Sequence, residues 1–166
     1  MAKGKTTIVT MTGFVEYARI FPENMDTNDY HAKTQGQYNV DFYPETQEDF
    51  GAYFEAGAPV SALGYDTIKV GNTELATGKF LKFKQPNVHP AVEEWGGPPA
   101  VFDFREGPGM KKWDFELDGE VGSGSKVTIK VSVWTDGKKS FQRLEKVAVH
   151  ELVEFTGSPG VDMDNF

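Results

Sequence analysis

The 166-residue chain contains no cysteine. That absence excludes disulfides, thiolate zinc sites and a cysteine nucleophile together, and it fits a reducing compartment. Long apolar runs are missing too: no window approaches the ~18 consecutive apolar residues of a membrane-spanning helix. The opening MAKGKTTIV carries two lysines and then a short apolar run broken by threonines, too short and too polar for a signal peptide. The expectation is a soluble intracellular protein. Helical periodicity is scarce. Only residues 45–57, ETQEDFGAYFEAG, read as a helix, with an acidic first turn and Phe50, Tyr53 and Phe54 at i, i+3 and i+4.

Positive charge is also in short supply, with 17 Lys and Arg against 25 Asp and Glu and a formal net charge of −8. Taken alone, that balance argues against a polyanionic partner. The charge is unevenly spread, however. Residues 23–57 hold eight acids against Lys33 alone, whereas residues 79–148 hold twelve basic side chains against ten acidic ones. Salt screens charges beyond about 8 Å, so the local field decides what a surface binds.

What the chain has in quantity is alternation. Residues 6–12, 14–21, 36–43, 79–85, 100–105, 113–117 and 126–135 alternate with period two or are rich in β-formers, while 141–153 fits a strand and a helix equally. Between them lie Gly- and Pro-rich loops at 57–64, 85–99 and 105–112. Short strands, one helix and long loops predict a mostly β fold, a small closed antiparallel barrel. One domain is expected over residues 1–155, followed by a flexible acidic tail at 156–166 ending in Phe166.

In KVTIKVSVW (126–134), Val127, Ile129, Val131 and Val133 form an apolar face. The opposite face carries Lys126, Thr128, Lys130, Ser132 and Trp134. In KFLKFKQ (79–85), Phe80, Lys82 and Lys84 share a side. In FVEYARIF (14–21), Val15, Tyr17, Arg19 and Phe21 do. Three strands thus each place cations and rings together. Such a face suits an unpaired nucleic acid strand: cations neutralise phosphates, and rings stack on bases at about 1–3 kcal/mol each without reading sequence. Rings buried under the loops or in a dimer contact would produce the same pattern.

The order of motifs resembles the single-stranded DNA-binding proteins of T-odd coliphages. The matching pieces are MAKGK, EYARIF, GQYNVDF, KFLKFK, GSGSKVTIKVSVW and LEKVAVHELVEF, with a terminal Phe166 after an acidic stretch. The most specific is G-x-G-S-K-x-x-x-K-x-S, met by Gly122, Gly124, Ser125, Lys126, Lys130 and Ser132. The resemblance implies an OB fold and sequence-tolerant coating of single-stranded DNA in phage replication and recombination, in the cytoplasm of an infected cell. It implies DNA contacts at Lys3, Lys82, Lys84, Lys126 and Lys130, and places Trp134 near the groove. The strand pattern adds Tyr17, Arg19 and Phe80. The resemblance implies further that Asp162, Asp164 and Phe166 compete with DNA for the groove and recruit DNA polymerase and helicase-primase, and that the protein pairs as a homodimer. Gln35 stands where the family has a basic residue, and the tail is shorter and less acidic than the family's.

Other chemistry finds no constellation. GEVGSGSK (119–126) is a near miss for a phosphate-binding loop, with the lysine after the serine and a strand where a helix should begin. His31, His89 and His150 are far apart and not spaced as metal ligands. No nucleophile stands with a paired base. No enzyme and no cofactor is expected; the alternative to DNA binding is a phage structural or protein-interaction β module.

Overall fold

A computed structural model describes residues 4–58, 63–70, 72–88, 96–107, 109 and 111–153. Seven strands form one sheet: β1 (Lys5–Arg19), β2 (Gln37–Pro44), β3 (Leu63–Val70), β4 (Thr73–Pro86), β5 (Ala100–Asp103), β6 (Lys126–Thr135) and β7 (Ser140–Glu151). Helix α1 (Gln47–Glu55) follows β2, and a single-turn helix α2 (Phe115–Asp118) precedes β6. The sheet order is β3-β4-β2-β1-β6-β7-β5, antiparallel except for the parallel β5–β7 pair.

The two expected strands at 6–12 and 14–21 are one long strand that runs through Gly13. Its first part pairs with β6 and its last part with β2. A Cβ at Gly13 would stand 2.1 Å from the Tyr43 carbonyl oxygen, so only glycine lets β2 approach there. Because β1 serves both halves, the sheet curls until β4 meets β7. The seam is closed by side chains. Gln85, 6% exposed, accepts from the Leu144 N–H at 3.0 Å and donates to the Gly97 carbonyl at 2.8 Å. Gln142 Nε2 donates to the Lys82 carbonyl at 3.2 Å. A five-stranded barrel ordered β1-β2-β4-β7-β6, with a β3–β4 hairpin extension and β5 added beyond β7, is an OB fold.

The core holds the inward residues of these strands, among them Val9, Met11, Val15, Val40, Phe42, Leu81, Phe83, Val127, Ile129, Val131, Val133, Leu144, Val147 and Val149, with Tyr53 of α1 at one end. The ambiguous 141–153 segment is a strand because β6 on one side and β5 on the other supply its ladder partners. Residues 113–117 differ from the expectation. Asp114 accepts from the Glu116 N–H and caps a helical turn, while Trp113 is buried.

The GSK segment has a structural role. Ser125, fully buried, accepts from the Val153 N–H at 2.8 Å, and Gly122 N–H donates to the Val153 carbonyl. Gly124 N–H donates to the Val15 carbonyl with φ of 97°. The turn therefore ties the chain just after β7 and the second half of β1 to the start of β6.

Candidate functional site

On the outer side of β1, β6 and β7 the ladder registers build rows of side chains. Thr6, Trp134 and Phe141 form one row; Ile8, Ser132 and Arg143 the next; then Thr10, Lys130 and Lys146; then Thr12, Thr128 and Ala148. The Trp134 and Phe141 rings lie 5.6 Å apart at 36°. Phe141 is 50% exposed and Ile8 57%. The chain at Gly4 lies against the indole, for a Cβ there would fall 2.0 Å from it. Lys130 and Lys146 face each other across the ladder, and Lys146 Nζ lies 6.0 Å from the Phe102 ring centre.

A second set lies on the outer side of β1, β2 and β4. Arg19, Asn39 and Lys84 share a row, and Asp41 faces Lys82. The two sets meet at the seam. A groove of about 390 Å³ is lined by Lys84, Gln85, Pro86, Gln142 and Arg143 together with Thr6, Ser132, Trp134 and Phe141. The barrel thus joins Lys84 to Trp134, residues fifty apart in the chain. Flat rings, apolar wall and cations occupy one concave surface.

The remaining residues singled out from sequence divide. Tyr17 is 69% exposed, and its φ of 53° is why: a β-bulge between Glu16 and Arg19 throws the ring outward while its N–H donates to Ser123 Oγ at 3.1 Å. The same bulge breaks the alternation of 14–21, so Val15, grouped with Tyr17 in the sequence, belongs to the core. Lys126 lies at the opposite end of β6 and pairs with Glu45 at 3.1 Å, so its charge is locally matched. Phe80 is a correction. It is 7% exposed, stacked on Tyr43 at 4.8 Å and packed with Ile68, because the β3–β4 hairpin folds over that part of the outer face. It offers no ring to a base. Lys3 and the tail residues Asp162, Asp164 and Phe166 lie outside the described residues.

Phe141, Arg143 and Lys146 were not found from sequence. The signal was present as cations and a ring in 141–146, but a segment readable as helix or strand has no assignable face. Near Lys126 a second cleft is lined by Thr12, Phe104, Arg105, Thr128 and His150, with Glu151 at its edge. His150 Nε2 and Thr128 Oγ1 are 2.7 Å apart, as are the Thr128 and Thr12 hydroxyls. Arg105 there is bound by Asp103 and Asp118 at 2.9 and 2.7 Å and stacks on Trp113 at 4.8 Å. Its cation is committed to the fold. The Asp103 carboxyl is held well below the usual carboxylate range, chiefly by the Arg105 hydrogen bonds.

Among solved structures, the chain is similar to the single-stranded DNA-binding protein from bacteriophage Enc34 in complex with ssDNA. The TM-score is 0.52 at 13% identity, covering 92% of this chain and 89% of that one. The chain has an OB fold. Two further structures of the Enc34 protein match with TM-scores of 0.47, one at 13% identity over 96% of this chain and 88% of that one. The other, a C-terminal truncation, matches at 12% identity over 90% and 87%. No protein-family model and no curated protein matches the sequence. At these identities the likeness is one of architecture, and the face of the barrel has to be read from its own residues.

Proposed function

We propose that this chain is a non-enzymatic, sequence-tolerant single-stranded DNA-binding protein of phage type, acting in replication and recombination in the cytoplasm of the infected cell. The observation that carries this reading is the groove itself. Trp134 and half-exposed Phe141 stand beside Lys84, with the facing Lys130–Lys146 pair two rows further along the same outer face, on a protein whose net charge is −8. The site set is Arg19, Lys82, Lys84, Lys130 and Trp134, with Tyr17 at one edge and Phe141, Arg143 and Lys146 added. Lys126 would join only by releasing Glu45. The OB architecture shared with a protein solved in complex with ssDNA supports the same reading.

The sequence resemblance extends the proposal. Residues 1–155 form the binding domain, Lys3 adds a phosphate contact, and residues 156–166 form the acidic tail. Asp162, Asp164 and Phe166 then act as the handle for DNA polymerase and helicase-primase, and the protein works as a homodimer.

Titration with oligothymidylate, followed by tryptophan emission, tests the proposal. A change in emission is expected, and it should be lost in Trp134→Phe. If about four phosphates are neutralised, the log–log salt dependence should have a slope near −3. Unchanged emission together with unretarded DNA would sink it and favour a protein-docking module using the same rings.

A further inference from the structure

Two polar atoms on residues that line the groove have no hydrogen-bond partner among the described residues: Gln142 Oε1 and Arg143 Nη1. The rest of each head group is committed. Gln142 Nε2 donates to the Lys82 carbonyl at 3.2 Å, which fixes the amide and leaves its oxygen over. Arg143 Nε pairs with Glu145 at 2.8 Å, which leaves Nη1 over. One of the two is an acceptor and the other a donor, on adjacent residues of β7. Both residues line the groove. A polar group buried without a partner is costly, so the free groove favours whatever satisfies both.

The chemistry of that ligand is constrained. A phosphate or carboxylate brings acceptors only and can serve Arg143 but not Gln142. An aliphatic group serves neither. An unpaired nucleobase carries donor and acceptor side by side on its Watson–Crick edge, and its flat face matches the Trp134–Phe141 platform. We propose that the groove is a base-reading subsite, in which one unpaired base stacks against Phe141 and Trp134 and presents its Watson–Crick edge to Gln142 Oε1 and Arg143 Nη1. This rests on the single-stranded DNA reading above and goes beyond it. Every base has such an edge, so the subsite tolerates sequence. In a duplex that edge is already paired, so the subsite rejects double strands by chemistry as well as by shape.

The test uses the full chain and three labelled dodecamers: oligothymidylate, the same oligomer with every thymine N3-methylated, and an abasic one with equal phosphates. Methylation keeps the ring but removes the edge donor. The unmodified chain should bind the methylated oligomer about tenfold more weakly than the unmodified one, and the abasic one more weakly still. In Gln142→Leu the two thymine oligomers should bind within about twofold of each other, whereas Arg143→Lys should weaken both and keep the methylation penalty, with melting temperature confirming folded proteins. Equal binding of the two thymine oligomers by the unmodified chain overturns the subsite while leaving DNA binding intact. A tenfold loss that persists in Gln142→Leu places the edge-reading acceptor elsewhere and also overturns the subsite. Failure to bind any of the three oligomers removes the DNA reading itself, and the subsite with it.

Discussion

Lys130 of β6 and Lys146 of β7 stand directly opposite each other in their ladder, both exposed. Like charges so placed destabilise a sheet by a few tenths to about 1 kcal/mol. An anionic partner on that face relieves the repulsion and releases counterions in doing so.

Lys146→Glu is therefore expected to act in opposite directions on fold and binding. It creates a cross-strand ion pair with Lys130 and should raise unfolding stability by about 0.5 kcal/mol in urea melts. It should also weaken oligothymidylate binding at low salt and reduce the steepness of the salt slope by about one. A variant that loses both stability and affinity would show that Lys146 is merely structural.

Asp103 makes stability depend on acid. Its carboxyl, 8% exposed, takes two bonds from Arg105 at 2.9 Å, with Lys111 at 3.5 Å. Its folded-state value is depressed below the ordinary 3.8, so the unfolded chain binds the proton first. The contribution is fully present above that ordinary value and is lost as pH falls towards the folded one. Melting temperature attributable to this contact should be level from pH 7 to about pH 5 and fall below about pH 4. Asp103→Asn should lower stability at neutral pH, with a deficit that shrinks in acid.

Tyr53 on α1 is fully buried, and its hydroxyl is without a partner among the described residues. Burial pushes its phenol well above the ordinary range. Tyr53→Phe removes the stranded hydroxyl and keeps the edge contacts to Phe54 and Phe83. An increase of about 1 kcal/mol in chemical denaturation is expected.

Ser125 offers the opposite case. Its hydroxyl holds the Val153 N–H and donates to the Val153 carbonyl at 3.3 Å. Ser125→Ala should cost roughly 1–2 kcal/mol. The loss should appear in hydrogen exchange as earlier opening of the end of β7, with the groove at its start unaffected.

The barrel was legible wherever one face of a strand is buried and the other is wet. In β6, Val127, Ile129, Val131 and Val133 are all at most 1% exposed, as their alternation requires. Legibility failed where a local device overrides the period. The left-handed Tyr17 resets the pattern in β1, and the Asp114 cap turns an alternating segment into a helical one. It failed again where burial is supplied by something distant in sequence. Nothing within KFLKFKQ announces that Phe80 will be roofed by the β3–β4 hairpin. The groove was half legible for the same reason: Lys84 and Trp134 each belong to a readable strand, but their meeting depends on closure through Gln85, and Phe141 and Arg143 sit in the segment of mixed periodicity.

That closure has an implication for adaptability. Most neighbouring strands here are stitched by repeated main-chain bonds, which yield only together. Where β4 meets β7, one carboxamide and its neighbour do the stitching, and a carboxamide can pivot about its own torsions without unzipping anything. The floor beneath Trp134 and Phe141 is thus held by side-chain bonds where the rest of the wall is held by main-chain ladders.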